Sequence, residues 1–370
     1  MKENTKLKKS FLDTFLSNNA LISLAVILLG FFVGTILLLI VGKNPGGMYK
    51  AILDSLIGVR NSKGVWNVRN IGESLAYSVP FILCGLSMAF AARVGLFNIG
   101  AEGQYIMGFA MAQLFAVSVK PFPGQWIVCL LIAALTGAVW GGIVGILKAC
   151  FQVSEVVATI MLNYIGLWLA RMLCLACPNA TTFNVGESLP ATACLKKIFI
   201  TNSNLNIGFF FMIISVILFW YIMEKTSLGF EMRATGFNKE AARCSGIPVV
   251  KSIALSMAIS GVFAGLAGAI VLLGGAYPKG HIVSTMHNYG FNGIAVALVG
   301  NNTAIGTFLA GLLFGVLKQG QSIMQNYDIP KEITFIIQGL IVVFISLRSG
   351  LEIVRQMRSK KVLQMEISEK

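Results

Sequence analysis

The sequence predicts an all-α polytopic membrane protein, and three observations carry that prediction. Of 370 residues, 56% are apolar and only 12% charged, against about 45–50% and about 25% in soluble domains. The mean hydropathy is +0.78. Uncharged apolar runs recur along the chain near the length of about 20 residues that a bilayer core requires. So few charges cannot cover so much apolar surface, which excludes a single soluble enzyme domain and a disordered chain.

The first element is Leu21–Gly42, an uncharged run preceded by Lys2, Lys6, Lys8 and Lys9. It is longer than a signal-peptide core and lacks a small-residue exit, so a retained anchor is expected. Spans follow at Ser74–Ala92, Leu96–Val119, Trp126–Leu147 and Val156–Ala176. Beyond a polar stretch come Ile207–Met223, Ser252–Ala276, Gly290–Val299, Ala304–Leu317 and Ile333–Leu347. That makes about ten transmembrane helices, with Gly290–Val299 and Ala304–Leu317 shorter than a full crossing. The division expected is a cytoplasmic segment 1–20, a membrane domain 21–347 with an inner loop 224–251, and a cytoplasmic tail 348–370.

Charge sets the direction. With ten crossings and the N-terminus inside, inner segments hold 17 Lys/Arg and outer segments 11, with Arg171 inside a span. Four lysines precede the first span and six basic residues follow Leu347, so both termini are expected on the cytoplasmic side. The net charge of +14 would suggest nucleic acid in a soluble chain. Here the basic loops fix topology and touch anionic lipid, so membrane lipid is an expected partner and nucleic acid is not.

Packing is legible in spacing. Gly137-x-x-x-Gly141, Gly141-x-x-x-Gly145, Gly261-x-x-x-Gly265 and Gly311-x-x-x-Gly315 place small residues on one helix face, which lets backbones approach closely in a membrane. In Gly46–Gly58, Met48, Ile52 and Leu56 form an apolar stripe that predicts a short helix on the outer membrane surface. Of the seven cysteines, Cys174 and Cys177 form a C-x-x-C without a second pair, so no metal is expected. Cys177 precedes the polar outer stretch Pro178–Asn206 and Cys194 lies within it, and spacing alone leaves open whether they are bridged.

Catalytic patterns are missing. The two histidines, His281 and His287, share one outer loop, and no nucleotide-binding Gly-x-x-x-x-Gly-Lys-Ser/Thr occurs. An enzyme is not expected, no cofactor is expected in this chain, and any ATP must be bound by another subunit. Within the membrane, Gly95–Tyr105 (GLFNIGAEGQY) carries Phe97, Asn98, Glu102 and Gln104 among three glycines. Such glycines let a helix break, which is tolerated only where the backbone lines a cavity or is buried in protein. A charge at depth is costly and usually functional. Glu102 therefore either lines a solute path or bonds neighbouring helices and holds the fold. Asn163 with Tyr164, and Phe291 with Asn292, are further polar–aromatic pairs inside spans. They suit a neutral ring-bearing solute better than an ion, and Phe97-Asn98 and Phe291-Asn292 hint at related halves.

The inner loop contains Arg233-Ala234-Thr235-Gly236-Phe237-Asn238-Lys239-Glu240-Ala241-Ala242-Arg243-Cys244-Ser245-Gly246-Ile247-Pro248. Asn238 is a good N-cap, Glu240 suits a first turn, and Gly246 with Pro248 signals a stop. A helix of two turns does not persist alone, so its Ala241–Ala242 face must dock, on this bundle or on a cytoplasmic partner.

GLFNIGAEGQ (Gly95–Gln104), EVVATIMLNYI (Glu155–Ile165), RATGFNKEAARCSGIPV (Arg233–Val249) and GLAGAI (Gly265–Ile270) resemble the permease subunits of bacterial ATP-binding cassette importers. The branch is the ribose and branched-chain amino-acid type, and within it the nucleoside-type permeases. The resemblance implies a second permease in a hetero- or homodimer, two cytoplasmic ATPases and an extracytoplasmic binding lipoprotein in the bacterial plasma membrane. It also implies that Asn238–Gly246 is a coupling helix inserted into the ATPase, with Arg233, Gly236, Asn238, Glu240, Ala241, Ala242, Arg243 and Gly246 as its residues. Nucleoside import is the expected function. Import of a sugar or a branched-chain amino acid by the same machinery is the alternative, followed by proton-coupled secondary transport through Glu102.

Overall fold

The computed structural model describes residues 19–60, 66–181, 188–198, 203–277, 279–330, 332–341 and 343–344. The expected cytoplasmic ends, nearly all of 1–20 and all of 348–370, lie outside these. The described chain is almost entirely helical, with one two-stranded hairpin, so the all-α membrane class holds. Each of the ten apolar stretches contains a helix, and among the described residues five helices are long and apolar enough to cross a membrane.

Two compact units are present, Met1–Pro45 with Asp328–Lys370, and Gly46–Tyr327. In the first, α1 (Asn19–Ile40) keeps Val26 and Leu38 buried and Leu28, Phe32 and Leu39 exposed. A side chain at Gly30 would crowd Ile341 at 2.8 Å, at the end of the helix Glu332–Ile341. That is the close contact a small residue permits.

The second unit opens with α2 (Pro45–Ile57) and the antiparallel pair β1 (Val59–Arg60) and β2 (Trp66–Asn67). Of the stripe predicted on α2, Leu56 is exposed and Ile52 half-buried, but Met48 is buried in the protein together with Ala51 and Ser55. At Ser55 the next helix comes close, Ser74 donating to the Ser55 carbonyl at 2.9 Å. That approach leaves no room for a leucine.

The bundle is α3 (Arg69–Arg93), α4 (Ala101–Ser118), α5 (Gln125–Phe151), α6 (Glu155–Leu175) and α7 (Gly208–Lys225). After these come α8 (Ser227–Phe237), α9 (Lys239–Cys244), α10 (Val249–Val271), α11 (Tyr289–Val299) and α12 (Ala304–Met324). The predicted span Leu96–Val119 is therefore a non-helical stretch plus a helix that starts at Ala101. The span predicted at Ala304–Leu317 runs seven residues longer than its apolar core. The glycine spacing holds: α5 lies directly on α10, and a side chain at Gly137 or Gly261 would strike the other's backbone carbonyl. On α12, a side chain at Gly315 would meet the Ser74 carbonyl at 2.6 Å.

Candidate translocation site and coupling segment

α3 ends at a left-handed Gly95 (φ 73°), with the Val94 and Gly95 amides turned back to the Ala91 and Ala92 carbonyls. Five residues then run without helix to α4, and their polar groups need partners inside apolar surroundings. Asn98, fully buried, ties this run to the neighbouring helices through side-chain bonds. Its Nδ2 donates to Ser260 Oγ (2.6 Å) and Gln104 Oε1 (3.0 Å), and its Oδ1 accepts from Gln104 Nε2 (3.2 Å). Asn163 spans the break from α6: its Oδ1 accepts the Gly103 amide (2.8 Å) and its Nδ2 donates to the Ile99 carbonyl (3.0 Å).

Glu102 is fully buried, and its two oxygens divide the work. Oε1 accepts the Asn288 amide at 2.7 Å and Oε2 the Gly290 amide at 2.6 Å. A carboxylate thus sits on the first turn of α11, where unpaired amides and the helix dipole favour an anion. Of the two roles read from the sequence, these bonds perform the second: Glu102 holds neighbouring elements together.

Phe97 is 36% exposed and Tyr164 56% exposed. Phe291 and Asn292 are half-buried on the first turn of α11. Phe97-Asn98 precedes a helix whereas Phe291-Asn292 lies within one, so the two dipeptides do not occupy equivalent places.

The segment from Tyr277 to Asn288 is clamped along α4. Gln113 donates to the His281 carbonyl (3.0 Å) and accepts its amide (2.7 Å), and Tyr105 Oη contacts His287 Nδ1 at 3.1 Å. Tyr277 stacks on His281 with ring centres 4.6 Å apart. Burial pushes the His287 imidazole down to about 4, helped by His281 nearby, so the ring is neutral at neutral pH.

Beside this segment lies a cavity of about 440 Å³, walled by Tyr77, Tyr277, His287, Tyr289, Asn206 and Lys318, among others. None of these appeared as a site residue in the sequence. They come from five separate segments, and α10 passes into a π-helical turn, Leu272–Ala276, that no local spacing announces. The one available signal was three tyrosines and a histidine within or just outside apolar spans.

The short helix after Asn238 forms as its caps predict. Asn238 Oδ1 accepts the Glu240 and Ala241 amides at 3.0 and 3.1 Å, and Gly246 is left-handed at φ 80°. The expectation of one Ala241–Ala242 docking face is corrected. Ala242 is 3% exposed and packs with Leu96, Val249 and Ile253, whereas Ala241 is exposed. Neighbouring positions on a helix point about 100° apart, so only one alanine can face the bundle. Phe237 is 92% exposed beside Lys239, Glu240 and Arg243. Glu224 pairs with Arg93 and, at 2.8 Å, with Arg233. Gly236 lies on the Gly95 turn, where a side chain would meet the Val94 carbonyl at 2.7 Å. Cys177 and Cys194 are both free.

A helical membrane bundle with a broken span and a capped, exposed two-turn helix, but no nucleotide motif of its own, defines the membrane-spanning component of a transporter. The profile of the family described as "Branched-chain amino acid transport system / permease component" matches residues 70–346, and the chain belongs to that family. It is 35% identical over 352 residues to the guanosine ABC transporter permease protein NupP of Bacillus subtilis, covering 93% of this chain and 98% of the relative. It is 36% identical over 349 residues to the nucleoside ABC transporter permease protein NupB of Lactococcus lactis, covering 91% and 93%. A glucose ABC transporter permease of Haloferax volcanii is 31% identical over 287 residues, covering 74% and 75%. No solved structure matches.

Proposed function

We propose that this permease subunit carries nucleosides through the membrane as part of an ATP-binding cassette importer. The observation that carries the proposal is the likeness, along more than nine-tenths of the chain, to permeases named for guanosine and nucleosides. The chain makes ten crossings of the bacterial plasma membrane with both termini in the cytoplasm, a proposal supported by the basic residues at both ends. Residues 1–20, 21–347 and 348–370 are then the inner segment, the membrane domain and the inner tail.

Phe97, Asn98, Glu102, Gln104, Asn163, Tyr164, Phe291 and Asn292 serve the translocation path. The buried amides and Glu102 hold the broken span in shape, and the exposed rings face the second permease. Arg233, Gly236, Asn238, Glu240, Ala241, Ala242, Arg243 and Gly246 couple the bundle to one of two cytoplasmic ATPases, which bind the ATP. A binding lipoprotein delivers the solute from outside.

Uptake of labelled guanosine by proteoliposomes holding the assembled importer, with ATP inside and binding protein outside, tests this reading. Uptake should require ATP and resist a protonophore. ATP-independent uptake abolished by the protonophore would place the chain among proton-coupled carriers. The glucose permease relative supports a second reading, a sugar as solute, which the same vesicles decide with labelled glucose.

A further inference from the structure

We propose that the cavity between Tyr77, Tyr277, His287 and Tyr289 is a binding pocket for the flat heteroaromatic ring of the solute, a nucleoside base. This inference rests on the functional reading above and adds to it a site that none of the sequence motifs contains.

The cavity volume, about 440 Å³, lies within the range of about 300–1,000 Å³ typical of small-molecule sites. Its walls are aromatic on several sides, and the rings are held from behind. Tyr289 packs on Phe81 and Tyr105 with ring centres 5.1 and 5.6 Å away, and Tyr277 stacks near-parallel to His287 at 6.0 Å. Rings fixed in this way offer faces to another flat ring without further ordering, and stacking accepts any base because every base has a π-face.

One polar side-chain atom at the wall lacks the partner that the fold would normally supply. His287 Nε2 is buried with no hydrogen-bond partner, although Nδ1 of the same ring meets the Tyr105 hydroxyl. Buried polar atoms are rarely left this way, so each such case needs an explanation. A base edge presents both donors and acceptors, and a small turn of the ring that uncovers that nitrogen lets the two bond in either tautomer. On α3, Pro80 has no amide hydrogen to give the Ala76 carbonyl, and both residues line the cavity.

The remaining polar and charged groups at the wall are engaged within the protein, Lys318 donating to Gln321 Oε1 at 3.2 Å. Both Glu73 oxygens accept from Asn204, at 3.0 and 3.3 Å. The Asn206 amide is bonded at both ends, to the Gly208 amide and the Asn204 carbonyl. A zwitterionic amino acid would find no unengaged carboxylate here for its ammonium group.

The test uses the assembled importer in proteoliposomes and 8-azidoguanosine as a photoprobe, with labelled peptides of this chain mapped by mass spectrometry. Label should fall on the peptides carrying Tyr77 or Tyr277–Tyr289, and unlabelled guanosine should compete while leucine and ribose do not. Tyr77→Ala should lower both labelling and guanosine uptake about tenfold or more, the loss expected for one stacking face. Tyr77→Phe should keep both within about twofold of wild type, because the ring and not the hydroxyl makes the contact. Label confined to other peptides of the wild-type chain overturns the pocket even if Tyr77→Ala fails to assemble. Unchanged labelling in an assembled Tyr77→Ala importer does the same, and in both cases guanosine uptake by wild type leaves the functional reading standing. No guanosine uptake by wild type overturns that reading and the pocket with it.

Discussion

The Glu102 carboxylate on α4 accepts the Gly290 amide at the start of α11, 188 residues further along the chain, at 2.6 Å. The helices cross so closely there that a side chain at Gly290 would collide with the Glu102 backbone. Two elements interrupted within the apolar region thus complete each other: the broken span provides the anion, and the short helix provides the amides.

Glu102→Gln keeps the size and removes the charge. A glutamine offers one acceptor oxygen where the carboxylate offers two, so one of the Asn288 and Gly290 amides loses its partner. The expected cost is about 1–3 kcal/mol of stability. The purified importer should melt at lower temperature while retaining the solute concentration for half-maximal uptake. A large rise in that concentration with an unchanged melting point would show that Glu102 touches solute.

Gly261→Leu places a branched side chain against the Gly137 carbonyl, where the structure has no space. Overpacking of a filled contact costs about 1–3 kcal/mol, and reduced yield of folded protein in the membrane is expected. Gly142→Leu is the control, because the nearest group that a side chain there would meet is the Ala258 methyl at 3.7 Å. Equal yields of the two variants would count against close α5–α10 packing.

The pH response follows from His287. Its folded value near 4 lies below the ordinary imidazole value of about 6.5. Between those limits the unfolded chain binds a proton that the folded chain refuses, so this contribution is complete above about pH 6.5 and is lost as pH falls toward 4. The facing groups are His281, Tyr105 and Tyr277, and none of them carries a negative charge in this range to offset the effect. Melting temperatures of the wild-type importer should fall between pH 7.5 and 5, and those of His287→Gln should fall less. Parallel curves would place the acid-sensitive group elsewhere.

Much of the fold was legible because membrane packing writes itself in local spacing. Gly137, Gly141, Gly261 and Gly265 lie four apart, and four apart is what one helix face means. Asn238 and Gly246 were legible for a similar reason, since a cap is satisfied within three residues of itself. On α2 the expected membrane-surface stripe of Met48, Ile52 and Leu56 is broken because Met48 is buried in the protein, together with Ala51 and Ser55, whose small size allows the approach of Ser74. The cavity was not legible. Tyr77, Asn206, Tyr277, His287 and Tyr289 meet through tertiary contacts, through a π-turn, and through the clamp of Gln113 on His281, and none of these has a period. Glu102 was recognised as unusual from its setting, but its partners, two backbone amides, carry no residue identity that a sequence could display.

The two alanines of α9 separate folding from coupling. Ala242 is buried against Leu96, Val249 and Ile253, so Ala242→Glu forces a carboxylate into an apolar contact of this same chain. Burying an unpaired charge is expensive, and the expected result is a segment displaced from the bundle and a less stable protein even without any partner. Ala241 lies on the exposed side with Phe237 and Glu240, and Ala241→Glu leaves the bundle contacts untouched. The isolated chain should therefore insert and melt as wild type does, within about 0.5 kcal/mol. Its defect should appear only on assembly, as weaker ATPase association or as loss of ATPase stimulation by solute-loaded binding protein. Measuring melting, co-purification and stimulated ATP hydrolysis for both variants gives two distinct patterns. If Ala241→Glu assembles and is stimulated like wild type, the exposed side of α9 is not where the ATPase acts on the bundle.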